Sequence, residues 1–267
     1  VHMSTTAVRE GDEYVINGHN WFTSSADGAS FTIVMAVTNP SAENKYERAS
    51  MILVPLDNPG YRMIRNIPIM GDEGEDYLSH SEVEFVNCRV PVSHLIGEEG
   101  SGFQLAQVRL GPGRIHHCMR SIGSAEKALD LLCTRATTRT AFGRPLAKLG
   151  GNIDIIADAR MNIEQARLLT LKTAWMMDHT DPKEARIWIS MIKTVVPNMA
   201  LKVIDDAIQM HGGIGVSNDT PLASMWAGQR TLRLADGPDA VHRMVVGRHE
   251  LKGYSVVEDA GATFRDG

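Results

Sequence analysis

The sequence predicts an α+β fold made of two consecutive parts, a compact antiparallel β-barrel or sandwich followed by a helical domain. Three observations predict it. The first hundred residues hold short runs rich in β-branched and aromatic residues, broken by turn signals. From Phe103 onward the apolar residues recur at helical spacing. Between the two lies Gly97-Glu98-Glu99-Gly100-Ser101-Gly102, a glycine-rich seam that places the domains at 1–98 and 99–267. A chain of 267 residues can bury two such cores.

The elements follow in order. Glu13-Tyr14-Val15-Ile16 meets Asn17-Gly18, a strong hairpin signal, before a second strand over 19–23. Further strands fit 31–37 and 49–55, and 81–86 alternates polar and apolar residues as a half-buried strand does. The polar, turn-rich stretch 39–48 reads as a surface loop. One long helix fits 103–135, with Leu105, Val108, Ile115, Met119, Ile122, Leu129 and Leu132 on its apolar side. Pro112, flanked by Gly111 and Gly113, is expected to kink this helix rather than divide it. A second helix fits 154–177. Pro182 opens a third that runs towards Met210 and is bent at Pro197. Shorter helices fit 221–234 and 240–251, and the tail beyond Tyr254 is mixed in character.

Composition excludes several functions. Lys and Arg number 27 against 32 Asp and Glu, a net charge of −5, so no general basic field exists for nucleic acid. A phosphate-bearing partner must therefore be held by local groups. Three cysteines with no CxxC fit buried thiols in a reducing compartment better than disulfides or zinc. There is no run of eighteen apolar residues, and no membrane span is expected. His116 and His117 are adjacent on a helix and point about 100° apart. With no HExxH and no carboxylate cluster, no metal site is expected. The opening Val1-His2-Met3 does not resemble a signal peptide, and the chain then starts abruptly in strand-like sequence, so a missing N-terminal segment is expected.

Four patterns can carry chemistry. In Trp21-Phe22-Thr23-Ser24-Ser25-Ala26 an aromatic could fill the core of an edge strand, or its indole could pack on a flat cofactor while Thr23 bonds the polar rim. In Arg139-Thr140-Ala141-Phe142-Gly143-Arg144, Arg139 could cap the end of the long helix or clamp a pyrophosphate bidentately. Gln209-Met210-His211-Gly212-Gly213-Ile214-Gly215 holds more glycine than a helix stop needs, and could let backbone N–H groups approach an anion. In Ala235-Asp236-Gly237-Pro238-Asp239, Asp236 could make a turn, cap the next helix in competition with Asp239, or act as a base aimed at a cofactor.

Taken in order, with Gly97-Glu98-Glu99-Gly100-Ser101-Gly102-Phe103 and Leu110-Gly111-Pro112-Gly113-Arg114-Ile115-His116-His117-Cys118, these patterns resemble the acyl-CoA dehydrogenase family of flavoproteins from about Gly11 to Gly253. The resemblance is strongest to the branch typified by family members ten and eleven. It implies a helical N-terminal domain, a middle β-domain and a C-terminal up-down four-helix bundle, with this chain beginning inside the middle domain.

The resemblance also implies roles. Trp21 and Thr23 would lie along the flavin of FAD. Arg139 would hold the pyrophosphate with Phe142 beside it, and Gln209, Gly212 and Gly213 would meet the adenosine diphosphate half across a homodimer or homotetramer interface. Ala141 stands where many members carry a hydroxyl, which removes one phosphate hydrogen bond. Asp236 falls where most members place a glutamate base. It would remove the α-proton of an acyl-CoA as the β-hydrogen passes as hydride to flavin N5, giving a trans-2-enoyl-CoA. Gly237 would contact the substrate, and Arg114 would bind it by orienting the thioester end, or orient the base, or make only a helix-surface salt bridge. Asp is shorter than Glu by about 1.5 Å, so backbone or substrate must sit closer. Gly113 occupies the alternative base position of a few members and cannot serve. The implied partner is an electron-transferring flavoprotein, and the implied compartment is bacterial cytoplasm, mitochondrion or peroxisome. Two competing readings are a nitroalkane-oxidase-like enzyme, which would also use an aspartate base, and a non-catalytic subunit or oligomerisation module.

Overall fold

A computed structural model describes residues 3–254. It divides into two compact units, Val1–Arg109 and Leu110–Gly267, each with its own apolar core. Their boundary falls inside the first long helix, several residues beyond the glycine-rich seam.

The first unit is a seven-stranded sheet of order β5-β6-β2-β1-β3-β4-β7. Its strands are β1 (Thr6–Glu10), β2 (Glu13–Ser24), β3 (Phe31–Val37), β4 (Ala49–Pro55), β5 (Tyr61–Asn66), β6 (His80–Pro91) and β7 (Leu95–Ile96). All pair antiparallel except β1 and β3, which meet in parallel at Thr6 and Val37. Tyr14 and Ile16 of β2, Val34 and Ala36 of β3, Ile52 and Val54 of β4, and Val83 and Phe85 of β6 alternate inward and form the core. The strands expected over 31–37 and 49–55 have those bounds, and the one expected over 81–86 extends to Pro91. The loop over 39–48 holds a single 3-10 turn, Lys45–Glu47. Strand β5, absent from the sequence reading, is an edge strand with no inward alternation to betray it.

The hairpin expected at Asn17-Gly18 is a correction. The turn lies at Gly11-Asp12, where Glu10 pairs with Glu13 and Gly11 has φ +64°. Asn17-Gly18 sits inside an unbroken β2, at a register shift between Ile16 and Gly18 opposite β6. A Cβ on Gly18 would lie 2.4 Å from Thr5 Oγ1 and 2.7 Å from Thr5 Cα. Asn17 Oδ1 accepts the backbone N–H of Asn87 at 2.8 Å. The dipeptide thus serves a bulge and a close backbone approach, not a chain reversal.

The second unit contains α1 (Gly102–Thr138) from Leu110 onward, a hairpin of β8 (Thr140–Ala141) and β9 (Arg144–Pro145), then α2 (Asn152–His179), α3 (Pro182–His211), α4 (Leu222–Leu232) and α5 (Asp239–Glu250). Ile122, Leu129 and Leu132 of α1, Ile163 of α2, Ile192, Val196, Val203 and Ile204 of α3, and Leu222 of α4 interlock in its core. Pro112 and Pro197 both lie inside continuous helices and end neither. The span Pro182–Val216 is the one helical segment among the described residues long and apolar enough to cross a membrane. Its buried apolar side chains pack in the bundle core, where the helix meets α2, α4 and α5. The tail beyond Tyr254 lies outside the described residues.

Candidate functional site

The segment between α4 and α5 is built to present residue 236. Leu234 and Ala235 N–H groups bond back to Thr231 O at 2.9 and 3.0 Å, and Asp239 N–H bonds to Arg233 O at 3.1 Å. Inside this clasp Asp236 has φ +54° and Gly237 φ +106°. Asp is one of the few side-chain-bearing residues that enter the left-handed region readily. Any side chain at Gly237 is disfavoured, since a Cβ there would lie 2.8 Å from His242 Nε2.

Two side chains hold the Asp236 carbonyl. Arg114 Nε of α1 donates to it at 2.9 Å, and His242 Nε2 of α5 lies 3.3 Å away. A carbonyl only accepts, so His242 carries its proton on Nε2 and accepts from Ser190 Oγ, 3.3 Å from Nδ1. At the carboxylate, His117 Nε2 lies 3.0 Å from Asp236 Oδ2, with the two side chains only 21% and 19% exposed. The carboxylate is therefore largely screened from water. Neither acid caps α5: its N-cap is Pro238, with no side-chain cap. Asp239 instead accepts from Arg233 Nε at 2.7 Å and Asn198 Nδ2 at 3.1 Å.

The surroundings are cationic and dry. Burial draws the Arg114 guanidinium below its usual pKa against the pull of Asp236, and Arg186 adds to the lowering. Lys193 of α3 is fully buried and donates to Leu232 O at the end of α4. Burial lowers its pKa, and the nearby Cys118, Asp236 and Asp239 oppose that shift. Burial first, then Arg114, pushes His242 below its ordinary value, which favours the neutral ring. The Cys118 thiol is pushed up to about 12 by burial and stays protonated.

Asp236, Gly237 and Arg114, singled out from sequence, thus meet at one turn. Sequence reasoning missed His117, His242, Lys193 and Asn198. Only His117 left a signal, because it stands three residues after Arg114 and shares its helix face.

A second cluster gathers Arg139, Gln209, Gly212 and Gly213 with Arg135 and Ile214 around a groove of about 410 Å³. Arg139 makes no side-chain hydrogen bond among the described residues, so the helix-cap alternative is not what is seen. Arg135 Nη2 donates to His211 O at 3.4 Å, while its buried Nε has no partner among the described residues. A Cβ on Gly212 or Gly213 would meet nothing within 4 Å, whereas one on Gly215 would lie 2.5 Å from Ile208 O. The first two glycines leave the groove open and the third serves packing. Phe142, 96% exposed, stands at the tip of the β8–β9 hairpin outside the groove's lining, with φ +50° before Gly143 at +76°.

In the first unit Trp21 and Thr23 line an open groove of about 730 Å³ with His19, Phe31, Ile33 and Met35. The register shift between Asn20 and Thr23, with Phe22 at φ +56°, turns Trp21 out of the sheet core. Its indole, 55% exposed, meets Phe22 edge-on at 5.7 Å and Arg65 at 5.7 Å. The core alternative for this aromatic therefore does not hold. Two guanidiniums beside an open glycine backbone fit a diphosphate, and an exposed indole beside a threonine hydroxyl fits a flat ring with a polar rim. Each donor set, taken within its own unit, suits the corresponding part of FAD.

Known proteins carry the same architecture. Residues 1–88 match the acyl-CoA dehydrogenase middle domain, and residues 100–251 match the acyl-CoA dehydrogenase C-terminal domain. The chain is 50% identical over 252 residues to the probable acyl-CoA dehydrogenase FadE2 of Mycobacterium tuberculosis, covering 94% of this chain and 61% of that protein. It is 52% identical over 252 residues to acyl-CoA dehydrogenase family member 11 of Gallus gallus, covering 94% of this chain and 32% of the relative. A solved Mycobacterium abscessus structure, assigned as an acyl-CoA dehydrogenase, superposes with TM-score 0.90 at 51% identity, covering 95% of this chain and 62% of that one. The chain thus spans less than two thirds of the length of these relatives. It belongs to the acyl-CoA dehydrogenase family, of which it carries the middle and C-terminal domains.

Proposed function

We propose that this chain supplies the proton-abstracting half of an FAD-dependent acyl-CoA dehydrogenase, with Asp236 as the base that takes the α-proton of the acyl thioester on the way to a trans-2-enoyl-CoA. The observation that carries the reading is the screened Asp236 carboxylate on a turn anchored through its own carbonyl by Arg114 and His242. Bound FAD supplies the hydride acceptor. Arg139, Arg135, Gln209, Gly212 and Gly213 would hold its diphosphate and adenosine half, and Trp21 and Thr23 its ring. Anchoring through the carbonyl leaves the backbone on the far side of residue 236 able to present its N–H to a thioester oxygen, the polarisation that such a weakly acidic proton needs. Gly237 keeps that approach free of a side chain. Exclusion of water keeps the proton with Asp236 once it has moved.

Met161, Leu168, Leu171 and Trp175 are 49–65% exposed at helical spacing on α2, and that face supports a homodimer or homotetramer. An electron-transferring flavoprotein is the proposed acceptor.

The test is an Asp236→Asn variant mixed anaerobically with acyl-CoA. It should keep its flavin and lose at least ~100-fold in the rate of flavin bleaching, the usual scale for a missing general base. Bleaching at the normal rate would remove Asp236 from the chemistry. Because the base is an aspartate, a nitroalkane belongs in the same experiment: peroxide released with it, and no bleaching with acyl-CoA, would favour the oxidase reading. A chain that takes up no flavin would favour the non-catalytic module.

A further inference from the structure

Arg114 and His242 fix the backbone of residue 236 but leave its carboxylate torsions to some other contact. That contact is His117, whose Nε2 lies 3.0 Å from the buried Oδ2, a close polar contact that is not aligned as a hydrogen bond. On the far side of the same ring, Arg120 Nη2 lies 2.5 Å from His117 Nδ1. A guanidinium has five donors and no acceptor, so Nδ1 must offer its lone pair to Arg120. A neutral ring then has one place left for its proton, which is the nitrogen touching Asp236.

Resting on the reading of Asp236 as the base, we propose that His117 is the positioning residue for its carboxylate, and that Arg120 sets His117 in the Nε2–H tautomer. The arrangement answers the shortness of aspartate. A carboxylate on a short stem needs its rotamer held, because a misplacement of about 1 Å can cost ~100-fold in rate. A neutral imidazole packed against the carboxylate holds that rotamer without adding a full charge to the cationic group formed by Arg114, Lys193 and Arg233 around Asp236 and Asp239. Spacing supports the same assignment. Arg114, His117 and Arg120 recur every three residues along α1, so each is an i,i+3 neighbour of the next and two turns of one helix supply the carbonyl anchor, the carboxylate contact and the tautomer lock.

The first measurement is ¹⁵N NMR of histidine-labelled protein at pH 7.5, with the His117 resonances identified by their loss in His117→Gln. The expected pattern is a neutral ring protonated on Nε2, giving way in Arg120→Leu to a mixture of forms. A ring protonated on Nδ1 in the native chain, or an imidazolium, would overturn the assignment. An unchanged Arg120→Leu spectrum would remove Arg120 from it.

The second measurement is the rate of flavin bleaching by acyl-CoA. His117→Leu should slow it about 10- to 100-fold with KM and flavin content near normal. His117→Gln, whose amide N–H can occupy the Nε2 position, should recover most of that loss. A purely structural histidine would instead lower flavin content and thermal stability, with no rescue by glutamine. If Asp236→Asn is inactive while His117→Leu bleaches normally, the positioning role fails and the base stands. If Asp236→Asn bleaches normally, both fail.

Discussion

Replacing Gly237 by alanine tests whether the turn is held as described. At φ +106° an alanine occupies a region that side-chain-bearing residues rarely adopt, which costs about 1–3 kcal/mol. Its Cβ would also sit 2.8 Å from His242 Nε2, so the imidazole must move and release the Asp236 carbonyl. Losing that bond adds about 0.5–1.5 kcal/mol. The total, ~2–4 kcal/mol, corresponds to a fall in Tm of roughly 5–15 °C for a unit of this size. Two controls separate the terms. Gly212 has φ +67° and ψ −142° with nothing near its Cβ position, so Gly212→Ala should show the backbone cost alone, about 1–3 kcal/mol. Gly213 has neither constraint, and Gly213→Ala should be close to neutral. Urea titration and calorimetry on the three variants read the order directly. A Gly237→Ala protein within about 0.5 kcal/mol of the parent, on the scale of an ordinary surface change, would refute the clash and the His242 anchor together.

Other outcomes follow from the same geometry. Arg139→Leu should weaken FAD binding about 10- to 100-fold, the loss of a charge-assisted contact, and calorimetric titration with FAD measures it. His242 should give stability a pH slope. Its pKa is lowered in the fold, so its contribution is present above the unfolded value of about 6.5 and lost as pH falls through the lower folded value. A His242→Asn variant should unfold at lower denaturant but with a flatter dependence between about pH 7 and 5, read by urea melts at each pH. Leu132→Ala, at a fully buried site in the bundle core, should cost about 2–5 kcal/mol in the same melts and leave FAD affinity unchanged.

What the sequence made legible depended on whether the signal was local. Strands β3 and β4 alternate cleanly against one core, and α2 and α3 carry long apolar faces, so their extents could be read within a few residues. Asn17-Gly18 misled because a bulge and a two-residue turn ask for the same residues. The choice between them was made by Thr5, packed against Gly18 from the segment just before β1. The same rule divides the site. Asp236, Gly237, Arg139 and the Gln209–Gly213 run are contiguous motifs. His117 and His242 matter only because α1 and α5 converge on one carbonyl and one carboxylate, a fact of tertiary packing.

The anchor on the Asp236 carbonyl has one more consequence. Arg114 and His242 grip a backbone atom that every residue possesses, and the left-handed φ there suits Asp and Asn alike. Position 236 therefore behaves as a socket whose shape is independent of what is plugged into it. Chemistry at this turn can be switched by exchanging one side chain while the frame stays standing. A lineage could change its reaction at this point, or lose it, without first losing the fold.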